Sequence, residues 1–308
     1  MITLCVAGVA SASSTMTTAS TPTAAADTAW SPGRSHRLRV TLAEQGEWLP
    51  LPPDKGAHRQ WQWRRARGGD PVPASVNGGD IKTPDGIAGI WNLEGSEDGA
   101  RWTRVGPAVI TRVQHLWDTR TLNGYRLGRH PGLGREGEYA PPVHFIEVTE
   151  ENKEFAVSEH FKLKHFLTKD QSNVWPKYVP LDLKLVDKLE LLISALREKG
   201  FNARGLHVMS GFRTPAYNGP GTGGRAKFSR HTYGDAADVW VDDDGDGQMD
   251  DLDGDGKVNR ADAAWLAELV GQIEQQYPEL IGGAGIYKAN RSHGPFTHID
   301  VRGRRARW

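Results

Sequence analysis

The sequence predicts two unlike halves: an α+β C-terminal domain with a small, largely antiparallel sheet, preceded by a separate all-β domain. Three observations predict it. Asn77-Gly78, Asp85-Gly86, Asp98-Gly99 and Asn123-Gly124 punctuate the N-terminal half, and such pairs adopt the positive φ of tight hairpin turns. Leu185, Leu189, Leu192 and Leu196 recur at helical spacing in the C-terminal half. A Gly- and Pro-rich stretch, His130 to Pro142, marks the boundary, and 308 residues at about 150 per domain suit two cores.

Residues 1–29 are expected to lie outside both domains. Ile2 to Ala12 are apolar or small and end in Ala10-Ser11-Ala12, a pattern of the kind signal peptidase cuts, so export is expected. The first basic residue is Arg34, so the true start codon is expected upstream of the given Met1. Ser13 to Ala29 reads as a Ser/Thr/Ala-rich tether. Cys5, the single cysteine, has no internal partner and stands at the wrong end of the apolar run for a lipid anchor. No run approaches the ~18 apolar residues of a transmembrane helix.

Residues 30–148 form the β-rich region, with β-prone pieces at Ile87 to Leu93 and Val109 to Val113. Seven of the eleven tryptophans fall here: Trp30, Trp48, Trp61, Trp63, Trp91, Trp102 and Trp117. Exposed indoles would stack on sugars and give glycan contact; buried ones would fill a sandwich core. The second reading is favoured because Trp is usually largely buried.

Residues 149–308 form the α+β region. Leu183 to Lys199 is an amphipathic helix closed by Gly200, and Ala261 to Gln276 is a second helix. Leu206 to Ser210, Ala236 to Val241, Gly285 to Lys288 and Phe296 to Val301 read as strands. Lys+Arg and Asp+Glu are equal at 38 each, so bulk charge gives no reason to expect nucleic acid or an anionic membrane as partner.

Two constellations carry chemistry. His231 follows the Gly-rich run Gly219 to Gly224, Asp238 opens a predicted strand, and His298 lies in another. Two imidazoles and a carboxylate suit zinc and leave a fourth tetrahedral position. Residue types alone leave many accidental equivalents in a chain of this length. The second constellation is an acidic insertion at 242–262, with nine Asp in 21 residues that would repel one another without a cation. Asp242 to Asp253 fits a twelve-residue calcium loop through Asp242, Asp244, Asp246, Asp250 and Asp253. Asp251 to Asp262 fits again through Asp251, Asp253, Asp255, Asn259 and Asp262. The frames share Asp253, so one tight ion is favoured over two, and the second frame over the first. The pair also resembles the dockerin repeat, although dockerins carry two separate loop-helix units.

Ser229-Arg230-His231-Thr232-Tyr233-Gly234-Asp235-Ala236-Ala237-Asp238 resembles the SxHxxGxAxD signature of the zinc D-Ala-D-Ala carboxypeptidase superfamily, whose fold is shared with the hedgehog signalling domain. Ser210-Gly211-Phe212-Arg213-Thr214 is similar to that family's SGYR element, and Gly294 to Asp300 to its closing HxD element. The similarity runs in order from about Ser158 to Arg307. It implies zinc on His231, Asp238 and His298, water activated to attack a peptide carbonyl, and Arg213 gripping a substrate carboxylate or developing oxyanion. Many relatives place an acidic residue three positions before the last ligand, where this chain has Pro295. His293 is then the preferred proton shuttle, with Asp300 as the alternative, or as an acceptor orienting His298. The resemblance implies an exported, periplasmic or extracellular, wall-associated peptidase acting on peptidoglycan stems or cross-links as a D,D-carboxypeptidase or endopeptidase. The competing reading is a catalytically silent, calcium-dependent wall-binding module. Only Val239 to Val241 separate Asp238 from Asp242, so calcium is expected to brace the zinc site.

Overall fold

The computed structural model describes residues 36–52, 58–219 and 225–308. The signal-like segment, Cys5, Trp30 and most of the Gly-rich run before His231 lie outside them. Among the described residues no helix is long and apolar enough to cross a membrane.

The N-terminal half is β-rich, as its turn pairs require. A seven-stranded sheet runs Lys177–Val179, His144–Val148, Thr103–Gln114, Gly89–Ser96, Gln60–Arg65 and Val72–Pro73, with Val40–Glu44 laid parallel against Thr103–Gln114. The turns at Gly78, Gly86, Gly99 and Gly124 all take positive φ. Tryptophan burial decides for the core at three of these seven indoles. Trp63 and Trp91 are buried, with their N–H groups donating to the Lys82 carbonyl at 2.8 Å and to Thr111 Oγ1 at 3.0 Å. They fill a small cluster with Leu49, Ile81, Leu93 and Val109 beneath a three-stranded sheet of Trp48–Pro50, Val76–Asn77 and Asp80–Lys82. Trp117 is buried too, whereas Trp48 is 45% exposed.

The C-terminal half holds a five-stranded sheet, ordered His207–Ser210, Ala236–Trp240, Phe296–Asp300, Gly283–Tyr287 and Ala306–Arg307. All neighbours are antiparallel except the last pair. Side chains alternate across it. Ala237, Val239, Thr297 and Ile299 are fully buried, and Thr297 Oγ1 donates to the carbonyl of Ala263 at the start of the second helix. That helix, Arg260–Gln276, opens with a capping box in which Asn259 accepts from Ala261 N and Asp262 accepts from Asn259 N. The first helix, Leu183–Glu198, is capped by Asp182 and buries Leu185, Leu189, Leu192 and Leu196.

The separation expected near residue 149 is not visible. Strand Lys177–Val179, from the C-terminal side, completes the N-terminal sheet, and one apolar cluster runs from Ile110 and Phe145 through Phe161 and Leu189 to Val239 and Ile299. The presumed boundary loop is itself packed. His130 is buried between Trp117 and Tyr233, with ring centroids 5.0 and 4.7 Å away. Its Nε2 donates to the Thr232 carbonyl and its Nδ1 accepts from Gly132 N, so the neutral imidazole is fully used.

Burial lowers the His130 pKa from 6.5 to about 4. A depressed folded-state value stabilises the protein while the ring is neutral, and that contribution is lost as pH falls from 6.5 through about 4, by about 3 kcal/mol in all. Urea unfolding at pH 7 and pH 4.5 is therefore expected to show a smaller acid loss for His130→Gln than for the parent chain; an equal loss would contradict it.

Candidate metal centre

Strand register assembles the site. Ser210 pairs with Asp238, Asp238 with His298, and His298 with Gly285, so the four form one row across one face of the sheet. Directly opposed antiparallel residues hold their Cβ atoms about 5 Å apart, close enough for Asp238 and His298 to share an ion. His231 arrives from outside the sheet on the turn Arg230–Tyr233. The turn closes at Gly234, φ 78°, where a Cβ would stand 2.0 Å from the Pro180 carbonyl oxygen, so only glycine fits.

Three donor atoms converge. His231 Nε2 lies 3.1 Å from both Asp238 Oδ1 and His298 Nδ1, and the last two are 2.9 Å apart. Ligands bonded to zinc at about 2.0–2.1 Å in a tetrahedron sit about 3.3 Å from one another, so little movement is needed. All three residues are at least 95% buried.

The tautomers show what the cluster requires. His231 Nδ1 is 2.7 Å from the Gly211 carbonyl, which can only accept, so Nδ1 carries the proton and Nε2 presents a lone pair. His298 Nε2 lies 3.1 Å from Asp300 Oδ2, a carboxylate held ionised, so His298 Nδ1 presents a lone pair as well. Both imidazoles thus turn lone pairs towards an Asp238 oxygen, an arrangement stable only around positive charge. Without an ion a proton supplies that charge: burial opposes a charge on His298, yet hydrogen bonds to Asp238 and Asp300 push its pKa up to about 9, so a bound ion would displace the Nδ1 proton. Burial holds His231 below its usual range. Two imidazoles, one carboxylate and oriented outer partners make a donor set that fits zinc.

The predicted catalytic residues fall in different places. Arg213 donates from Nε to Ser210 Oγ at 2.9 Å and from Nη2 to Asp238 Oδ2, fixing the carboxylate so that Oδ1 faces the cluster. Asp300 lies on the far nitrogen of His298. Its carboxylate also accepts from Gly283 N at 2.7 Å and from the Arg302 guanidinium; although burial opposes ionisation, His298 and Arg302 hold its pKa far below the usual carboxylate range. That geometry matches the orienting acceptor and not a proton acceptor at the centre. His293 is half-buried and engaged within its own loop, accepting from Asn290 Nδ2 and donating to the Gly294 carbonyl. Its ring meets Phe296 edge-on at 4.8 Å, two residues along the strand from His298. Sequence reading missed the Gly211 carbonyl, although Gly211 sits inside a recognised motif, and it missed Trp308, whose ring lies 5.2 Å from that of His298.

In the acidic insertion, Asp242, Asp244 and Asp246 bring carboxylate oxygens within 4.8 Å of one another, and so do Asp251, Asp253 and Asp255. Asp253 therefore sits in the second cluster and does not bridge two. Asp250 accepts from Asp243 N, Asn259 caps the second helix, and Asp262, fully buried, accepts from Leu252 N and Asn259 N. The basic tail is largely tied down: Arg302 pairs with Asp300, Arg304 with Glu138 and Arg307 with Glu274.

If Asp300 sets the His298 tautomer, Asp300→Asn is expected to weaken zinc binding about 10- to 100-fold in a chelator competition, while His231→Ala abolishes it. Unchanged affinity in Asp300→Asn would remove the orienting role.

Residues 163–252 match the family model described as Peptidase M15, a stretch that contains Arg213, His231 and Asp238 but ends before His298. No curated protein and no solved structure matches the chain. The family match, together with three donors that could hold one ion, supports a zinc-dependent peptidase of the kind active on peptidoglycan.

Proposed function

We propose that the protein is an exported zinc metallopeptidase that hydrolyses peptide bonds in peptidoglycan stem peptides or cross-links, as a D,D-carboxypeptidase or endopeptidase. The observation that carries this reading is the convergence of His231 Nε2, Asp238 Oδ1 and His298 Nδ1 within 3.1 Å. Zinc on those atoms supplies a Lewis acid that brings the pKa of water from about 16 towards 7. The chain does the rest. Gly211 and Asp300 each accept the outer N–H of an imidazole and so aim its other nitrogen inward. Arg213 holds Asp238 to one oxygen and presents a guanidinium fork suited to a substrate carboxylate or a developing oxyanion. His293 stands above the Phe296 end of the site as the proton carrier between water and leaving amine. Residues 30–148 act as an accessory region, and exposed Trp48 is its best-placed side chain for sugar contact.

The test uses purified sacculi and D-Ala-ended peptides. The zinc form is expected to release peptide, whereas EDTA-treated protein and His231→Ala release none. His293→Ala should keep its zinc and lose about 10²- to 10⁴-fold in kcat. Binding to sacculi without release by every form would instead favour the silent wall-binding module, to which Pro295 in the usual acid position lends weight.

We further propose that the two acidic triplets each take a calcium ion. The segment that carries them links the Asp238 strand to the second helix and is pinned by buried Met249 and Leu252. Asp250 N also donates to the Val241 carbonyl at 3.0 Å, three residues beyond Asp238. An ion at 100 times its Kd would add about 2.7 kcal/mol of stability. Calcium titration of the zinc-loaded protein is expected to raise Tm and tighten zinc, and Asp244→Asn with Asp253→Asn should erase both effects. A flat Tm would refute the calcium assignment.

A further inference from the structure

We propose that Trp308 and Tyr287 form the wall of a substrate subsite beside the metal centre, one that takes an apolar side chain next to the scissile bond. The inference rests on the peptidase reading and adds a specificity-determining surface to it.

The row that carries Asp238 and His298 continues to Gly285, which has no side chain to place there. The indole of Trp308 fills that space. A Cβ on Gly285 would lie 2.4 Å from an indole carbon, so glycine at this position is what admits the ring. The ring is held from several directions. Ile286 N donates to the Trp308 carbonyl at 2.9 Å, indole Nε1 donates to the Tyr287 hydroxyl at 2.8 Å, and the Arg302 guanidinium lies 5.4 Å from the ring centre. Tyr287 is in turn stacked on Phe296, with centroids 4.5 Å apart and planes 6° from parallel. Phe296 and Tyr287 are paired two residues from His298 and Gly285, so they share the ligand-bearing face.

Exposure completes the argument. The metal-ligating side chains are at least 95% buried, but Trp308 is 45% and Tyr287 37% exposed on the same face. A peptide held at the centre must extend over neighbouring surface, and on the far side of His298 from Asp238 that surface is two fixed aromatic rings. Rigid rings lose little entropy on binding and favour apolar contact over charge. A methyl group is worth several-fold in affinity against such a wall.

Calorimetry on the zinc-loaded protein tests this with two phosphinate dipeptide analogues, one bearing a methyl and one a hydrogen on the carbon beside phosphorus. The parent chain is expected to bind the methyl analogue about fivefold more tightly. Trp308→Ala and Gly285→Ala should lose that preference with undiminished zinc content, and Trp308→Phe should keep most of it. A preference that survives Trp308→Ala, or is missing from the parent chain, overturns the subsite. If the preference holds but no peptide is ever hydrolysed, the subsite stands and the peptidase reading falls.

Discussion

The register between two antiparallel strands is the constraint on which the rest of the molecule depends. Asp238 opposite His298 is a pairing of Cα partners, and a slip of either strand by one residue would turn its side chain to the other face and part the two. That other face is Ala237, Val239, Thr297 and Ile299, all fully buried. Hydrophobic burial therefore enforces the metal geometry: the strands cannot slip without exposing their apolar face and burying a carboxylate among the helices. A buried ion pair adds a second lock. Lys188 Nζ binds Glu274 Oε1 at 2.7 Å and the Asp300 carbonyl at 2.9 Å, while Glu274 also accepts from Gly282 N. One side-chain pair thus ties the first helix, the second helix and the ends of two strands. Removing Glu274 would leave the Lys188 charge buried with only a backbone carbonyl for partner, a loss of about 3–5 kcal/mol.

How much of this was legible follows from the length and period of each signal. The two helices were read almost to the residue, because sixteen or seventeen positions of 3.6-residue periodicity outweigh local propensity. The four main strands of the C-terminal sheet were legible through short β-rich runs. The strand Lys177–Val179 was not, since three residues carry no periodicity, and missing it made the two halves look independent. His130 to Pro142 looked like a linker by composition. Composition cannot report that His130 is wedged between Trp117 and Tyr233 from opposite halves of the chain.

The candidate site divides in the same way. His231, Asp238 and His298 were legible because side-chain identity is what a motif records. Backbone acceptors such as the Gly211 carbonyl leave no trace in residue type, and Trp308 has no motif at all. The acidic segment carries a shorter repeat inside the two twelve-residue frames: Asp242-Asp-Asp-Gly-Asp-Gly recurs after nine residues as Asp251-Leu-Asp-Gly-Asp-Gly. The hydrogen bonds repeat with it: Gly245 N and Gly247 N donate to Asp242, and Gly254 N and Gly256 N donate to Asp251. The shorter period separates the clusters, and it frees Asp262 to cap a helix.

The distribution of committed and uncommitted groups bears on proton transfer. Asp238 has one oxygen on Arg213 and the other in the cluster. Asp300 is saturated by His298, Arg302 and Gly283 N. Both imidazoles spend one nitrogen on an orienting acceptor and the other on the centre. Such a site is rigid, which suits holding an ion, but a group that must gain and lose a proton in each turnover needs slack that these contacts deny. The slack lies in the loop between Tyr287 and Phe296. Its interactions are internal to itself, and His293 bonds only neighbours three residues or fewer away. On the proposed reading, with Pro295 unable to move a proton, proton movement falls to this loop and not to the welded strand. Metal binding and proton handling then fall to different parts of the fold, so that one can be altered by substitution while the other persists.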